Sequence, residues 1–98
     1  MADPSAGGRA PGGASMLVEA LRAQGVHDER VLEAFRRVPR ERFVPPEWSA
    51  EAARDRPIPI ARGQVTTQPS LIGQMVAALH MSGGERVLEV GTGLGFQT

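Results

Sequence analysis

Gly91, Gly93 and Gly95 stand at alternate positions, directly after the apolar run Arg86–Val90 (RVLEV) and before Phe96-Gln97-Thr98. A strand that runs into glycines at the start of a helix is a general α/β device for binding a small molecule. The backbone comes close to the ligand, and the helix N-terminus offers N–H groups with no helical partner. Glycine serves there because it tolerates positive φ and carries no Cβ. The spacing is not the dinucleotide fingerprint GxGxxG, since the third glycine comes one place early and Phe96 sits where that fingerprint has glycine. A phosphate loop is excluded because no lysine follows the glycines. The chain has no lysine at all, which also removes Schiff-base chemistry. With no cysteine, disulfides, thiolate zinc sites and a cysteine nucleophile are excluded as well. His27 and His80 lie far apart in sequence, which fits structural or capping roles and no metal site. A glycine run by itself is a weak signal, because many strand–turn–helix junctions carry glycines for packing only.

The elements that must position this loop are mostly helical. Met16 to Gln24 places Leu17, Ala20 and Leu21 on one face, and Gly25 follows as a C-terminal stop. Asp28 is placed to cap a second helix in which Val31, Leu32, Phe35 and Val38 recur at helical spacing, ended by Pro39. Arg40 to Val44 reads as one further turn, and Glu47 to Arg54 as a short helix. Pro57 to Pro59 is extended and unsuited to a central sheet position, and Ala61 to Thr67 is a loop or edge strand. Leu71, Ile72, Met75, Val76 and Leu79 share one face of a helix spanning Pro69 to His80, which Thr66 and Thr67 could cap. Ser82 to Gly84 is a turn, Arg86 to Val90 a strand and Gly91 to Gly95 a tight loop. The arginines at 36, 37, 40 and 42, interleaved with Glu29, Glu33, Glu41 and Glu47, read as a solvated, salt-bridged surface. Trp48 and Phe43 read as packing residues.

Ninety-eight residues allow one domain at most, and the 11 basic and 11 acidic side chains cancel. That balance gives no push toward nucleic acid or an anionic membrane, and no stretch reaches the roughly 18 apolar residues of a membrane span. Residues 1–15 (MADPSAGGRAPGGAS) lack the apolar core of a secretion signal and read as a disordered tail, with the globular part at 16–98 and Met16 an alternative translation start. The lack of cysteine fits a cytoplasmic home.

Three segments in register carry a family resemblance. Val87 to Thr98 (VLEVGTGLGFQT) resembles the first motif of class I S-adenosylmethionine-dependent methyltransferases. Asp28 to Pro45 (DERVLEAFRRVPRERFVP) resembles the N-terminal helices of the protein-L-isoaspartate O-methyltransferase family, with their VPR and FVP signatures. Arg56 to Pro69 (RPIPIARGQVTTQP) resembles that family's PLPIGxGQTISQP segment. The resemblance covers Leu17 to Thr98. It implies an α/β fold, with N-terminal helices leading into a Rossmann-like methyltransferase domain of which this chain holds only the beginning. It implies S-adenosyl-L-methionine as cofactor, with Gly91, Thr92, Gly93 and Gly95 packed against its methionine part and Glu89 ordering the loop. Gln64, Val65 and Thr66 would also lie beside the cofactor. The family serine thought to contact the reacting groups maps onto Thr67, which would be the catalytic position. This stretch departs from the family pattern, with Val65 for threonine, Thr66 for isoleucine and Thr67 for serine. Threonine keeps the hydroxyl but adds a methyl and stiffens χ1.

The implied reaction moves a methyl group to the α-carboxylate of an L-isoaspartyl residue in damaged proteins or peptides. A carboxylate with an ordinary pKa of about 4 is already ionised at neutral pH, so alignment and desolvation matter more than a general base. A site without cysteine, lysine or a His–acid pair is compatible with that. The implied protein is a monomer when complete, with no nucleic-acid or membrane partner. Two other expectations stand beside it: a related methyltransferase acting on an aspartate of a peptide product, supported by the departure at 65–67, and an inactive remnant. The acidic residue that would hold the ribose, some 20 residues past the loop by analogy with dinucleotide sites, lies outside the sequence. The 98-residue chain alone is therefore expected to bind cofactor weakly or not at all.

Overall fold

The computed structural model describes residues 11–98, with side chains from residue 13 onward. Three helices form the frame: α1 (Pro11–Ala23), α2 (Glu29–Arg37) and α3 (Pro69–Ala78). Of the tail expected over 1–15, residues 1–10 lie outside the described residues. Residues 11–15 are helical, a correction to that expectation. Proline is tolerated at a first helical position, where its missing N–H would have no partner, and Gly13 and Ala14 are half-buried rather than solvated.

α1 ends as its sequence predicts. Gly25 adopts φ 90°, its N–H donates to the Arg22 carbonyl, and the Val26 N–H donates to the Leu21 carbonyl. This pair of bonds is a Schellman closure, and its hydrophobic partners Leu21 and Val26 are both buried. The Asp28 carboxylate then accepts from the Arg30 N–H at 3.0 Å and caps α2. Leu17, Val18 and Leu21 of α1, Val26 of the turn, Val31, Leu32 and Phe35 of α2, and Ile72 of α3 make one core. α3 crosses α1 closely at Gly73, where a Cβ would stand 2.7 Å from Leu21 Cδ2.

Between α2 and α3 the chain makes 3-10 turns at Arg40–Arg42 and Pro46–Glu51, the second shorter and tighter than the helix expected over 47–54. Val44, Ala52 and Ile58 form a second small core against which Trp48 packs. The chain then folds back as a hairpin. Pro59 and Val65 pair in an antiparallel bridge, the Ile60 N–H donates to the Gln64 carbonyl, and the Thr66 N–H donates to the Ile58 carbonyl. Arg62 (φ 64°) and Gly63 (φ 70°) supply the left-handed turn.

Three expectations are corrected. No strand is assigned among the described residues, so the α/β part of the expected fold is not formed here. Arg86 to Val90 is unpaired, because a strand requires a hydrogen-bonding neighbour and none is found among the described residues. The apolar face of α3 splits in two: Ile72 faces the core, whereas Leu71, Met75 and Leu79 stay exposed. Thr66 and Thr67 do not cap α3. Instead, the Asp55 carboxylate reaches across from the preceding loop and accepts from the Ser70 N–H at 2.7 Å and from the Gln68 side-chain amide at 3.1 Å.

Candidate active site

The glycine loop and the hairpin meet at a cavity of about 90 Å³, which has Val65, Thr66 and Thr67 on one side and Gly91, Thr92 and Gly93 on the other. Arg40, Phe43, Leu94 and Phe96 complete much of its wall. Six of the nine site residues expected from the sequence are thus brought together. Gln64 is at the hairpin turn, exposed, with its backbone committed to Ile60 and Ala61. Glu89 lies outside the cavity lining and accepts a hydrogen bond from the Thr98 hydroxyl. Gly95 faces a larger groove of about 680 Å³ beside α2, with Val31, Phe35 and Val38 on its wall.

The loop glycines are needed for conformation rather than for space. Gly91, Gly93 and Gly95 have φ of 78°, 59° and 92°, and a Cβ on Gly91 would meet nothing within 4 Å. Phe96 holds the loop's far end. Its ring sits 5.7 Å from Phe35, edge to face at 78°, and 5.7 Å from Phe43. This explains the departure from GxGxxG: the position is an aromatic clasp onto α2 and the Arg40–Phe43 turn, where glycine would have nothing to grip.

Arg40 is the principal residue that the sequence did not reveal. It stands in a run of arginines expected on the surface, and Arg36 and Arg37 do make exposed ion pairs with Glu33, whose carboxyl is held below its ordinary range by Arg37 first and Arg36 second. Arg40 is instead buried, with 3% of its surface exposed. Pro39 ends α2 and the 3-10 turn swings the next side chain inward. Nη1 donates to the carbonyls of Ala52 (3.4 Å) and Arg54 (3.0 Å), and Nη2 to the Arg56 carbonyl (2.9 Å) and the Thr66 Oγ1 (3.0 Å). Burial lowers its pKa, and Asp55 acts in the opposite direction. Guanidinium is so basic that it stays charged.

This charge decides what the cavity can take. Arg40, three threonines and a glutamine line it, and none of its lining residues is acidic. A cavity of about 90 Å³ has room for a small group such as a carboxylate. A buried cation, hydroxyls and the N–H groups of a glycine loop favour an anionic oxygen group. A carboxylate fits that chemistry. Among the described residues, no group of three or more histidine or acidic side chains could hold a metal ion. No helix among the described residues is long and apolar enough to cross a membrane.

Known proteins match this chain in sequence. Residues 13–98 match the family described as protein-L-isoaspartate(D-aspartate) O-methyltransferase. A protein-L-isoaspartate O-methyltransferase 2 of Anaeromyxobacter sp. is 54% identical over 81 residues, covering 83% of this chain and 33% of the relative. Protein-L-isoaspartate O-methyltransferases of Aeropyrum pernix and Cronobacter sakazakii are 49% and 48% identical, over 84% of this chain in each case and 32% and 39% of the relative. The chain therefore spans between about a third and two fifths of the length of these relatives. With the match running through both the cavity's hairpin and its glycine loop, the chain belongs to the protein-L-isoaspartate(D-aspartate) O-methyltransferase family.

Proposed function

We propose that these residues form the cofactor-proximal part of an enzyme that methylates the α-carboxylate of L-isoaspartyl residues in damaged proteins and peptides, with S-adenosyl-L-methionine as donor. The observation that carries this function is the meeting of Val65–Thr67 with Gly91–Gly93 around one cavity that has a buried cation and no acid. When bound, the cofactor supplies an electrophilic methyl group. The backbone of Gly91 to Gly95 and the Thr92 side chain would hold its amino-acid end, Glu89 would keep the loop ordered, and Gln64, Val65 and Thr66 would border it. Thr67 would contact the reacting carboxylate. The chain's contribution to rate is then alignment and removal of water, both of which suit a nucleophile that is already ionised. Arg86 to Val90 would become the first strand of a parallel sheet built with residues from the rest of the protein.

The test is transfer of labelled methyl groups to a matched pair of peptides, one isoaspartyl and one aspartyl, by the complete protein. Labelling of the isoaspartyl peptide alone is expected. Labelling of the aspartyl peptide would favour the second reading, a relative acting on an ordinary aspartate of a peptide product, which the Val65-Thr66-Thr67 departure supports. Labelling of neither would overturn the proposed function.

A further inference from the structure

We propose that Arg40 is a positioning residue for the methyl-transfer site, with its forked guanidinium fixing the Thr66–Thr67 edge that faces the glycine loop. This role rests on the methyltransferase function proposed above.

Three of the four acceptors of Arg40 are carbonyls of one loop, at Ala52, Arg54 and Arg56. Those bonds alone would describe a structural staple. The fourth acceptor, Thr66 Oγ1, is on the cavity wall. The same oxygen accepts from the Ile58 N–H at 3.0 Å. Two donors from two directions set the Thr66 rotamer, and they leave its own proton as the one hydrogen-bonding function still to be used. The backbone agrees, since the Thr66 N–H donates to the Ile58 carbonyl at 2.8 Å. Thr66 is thus held at both backbone and side chain, and the adjacent Thr67 inherits its placement. Around the same loop, Asp55 caps α3 through the Ser70 N–H and so fixes the chain on the other side of Thr67. Arg40 and Asp55 together clamp the short segment 66–70 from both ends.

The fork is essential to this role, beyond the charge. Each Nη serves two acceptors, and an ammonium at the end of a lysine cannot span four oxygens spread over the Ala52–Arg56 loop and Thr66. Arg40→Lys therefore keeps the cation but should release Thr66. Thr66→Val keeps the shape and removes the acceptor.

The experiment measures kcat, KM and cofactor-product affinity for the complete protein and for Arg40→Lys, Thr66→Val, Thr66→Ser and the Arg40→Lys/Thr66→Val pair, at a temperature well below every variant's Tm. A misplaced site edge typically costs about ten- to a hundredfold in rate, so both single variants should lose kcat on that scale. In Arg40→Lys, S-adenosylhomocysteine should bind within about threefold of the parent, because the glycine loop is untouched and the cation is kept, a change of less than about 0.7 kcal/mol. Thr66→Ser, which keeps the oxygen, should recover most of the rate lost in Thr66→Val. The double variant should be no slower than the slower single one, since both remove one interaction. A staple with no positioning role would lower Tm while leaving kcat at the permissive temperature unchanged, and that result would overturn the proposal. So would full activity in Arg40→Lys.

Amide exchange provides a readout that does not depend on turnover. The Ile58 and Thr66 amides should lose protection in Arg40→Lys while those of α1 and α2 keep theirs. A parent protein that methylates no isoaspartyl peptide defeats the proposed function, whereas unchanged exchange at Ile58 and Thr66 defeats the role of Arg40.

Discussion

A single carboxylate shows how much local order the link after α3 contains. Glu85 Oε2 accepts from the Ser82 N–H at 2.7 Å and the Ser82 hydroxyl at 2.9 Å, and Oε1 accepts from the Gly83 N–H at 2.8 Å. These bonds, the Ser82 backbone first, favour the ionised form and lower its pKa to about 2. Because the folded pKa is depressed, the turn's stabilisation is complete above the ordinary glutamate range and fades as pH falls toward about 2. Ser82 and Gly83 amide shifts followed by NMR should titrate with a midpoint near 2, not near 4, and Ser82→Ala should raise it. A midpoint in the ordinary range in the parent would mean that the turn is not closed by Glu85. At this scale the sequence was legible where a residue acts on its own neighbours, as Asp28 and Gly25 do. Arg40 and Asp55 were not, because their partners lie 12 to 26 and 13 to 15 residues away, and no local pattern records such a bond.

Helix existence was also legible, since periodicity reports one buried face, and α2 and α3 appear where the apolar spacing puts them. What periodicity could not separate was the two faces of α3. Leu71, Met75 and Leu79 recur as regularly as Ile72 and Val76, and only the position of α1 decides which row is buried. Gly73 sets that position. A methyl there would stand 2.7 Å from Leu21 Cδ2 and 3.1 Å from Cγ, and Leu21 is fully buried with no room to retreat. Overpacking of this kind costs about 1–3 kcal/mol, while alanine's better helix propensity returns at most about 1 kcal/mol. Gly73→Ala should therefore destabilise the protein by up to about 2 kcal/mol in urea unfolding. A neutral or stabilising result would mean that α3 can shift away from α1 at little cost. The strand expected at Arg86 to Val90 failed for a different reason. Alternation and β-branching specify what a segment can pair as, but a ladder exists only with a second strand.

Across the described residues as a whole, no side chain beyond Gly73 is fully buried. Leu88 and Val90 are each 89% exposed, and the backbone between them has no ladder partner. An apolar segment with unpaired backbone is a template for another copy. The 98-residue polypeptide on its own should self-associate with rising concentration in light scattering, and Leu88→Lys with Val90→Lys should suppress this. A parent polypeptide that stays monodisperse would show that the segment is protected in some other way. The candidate site lies across this gradient, with Arg40 on the well-packed side and the glycine loop on the exposed side, joined through Phe96. The joint has a consequence for how the protein is made. Every buried member of the main core lies between Leu17 and Ile72. The helical layer can close as soon as those residues have left the ribosome, before the glycine loop has emerged. Phe96 then reaches a finished surface and docks between Phe35 and Phe43. The helices can thus serve as an assembly platform for the cofactor loop during translation, and the order of synthesis matches the order in which the site is completed.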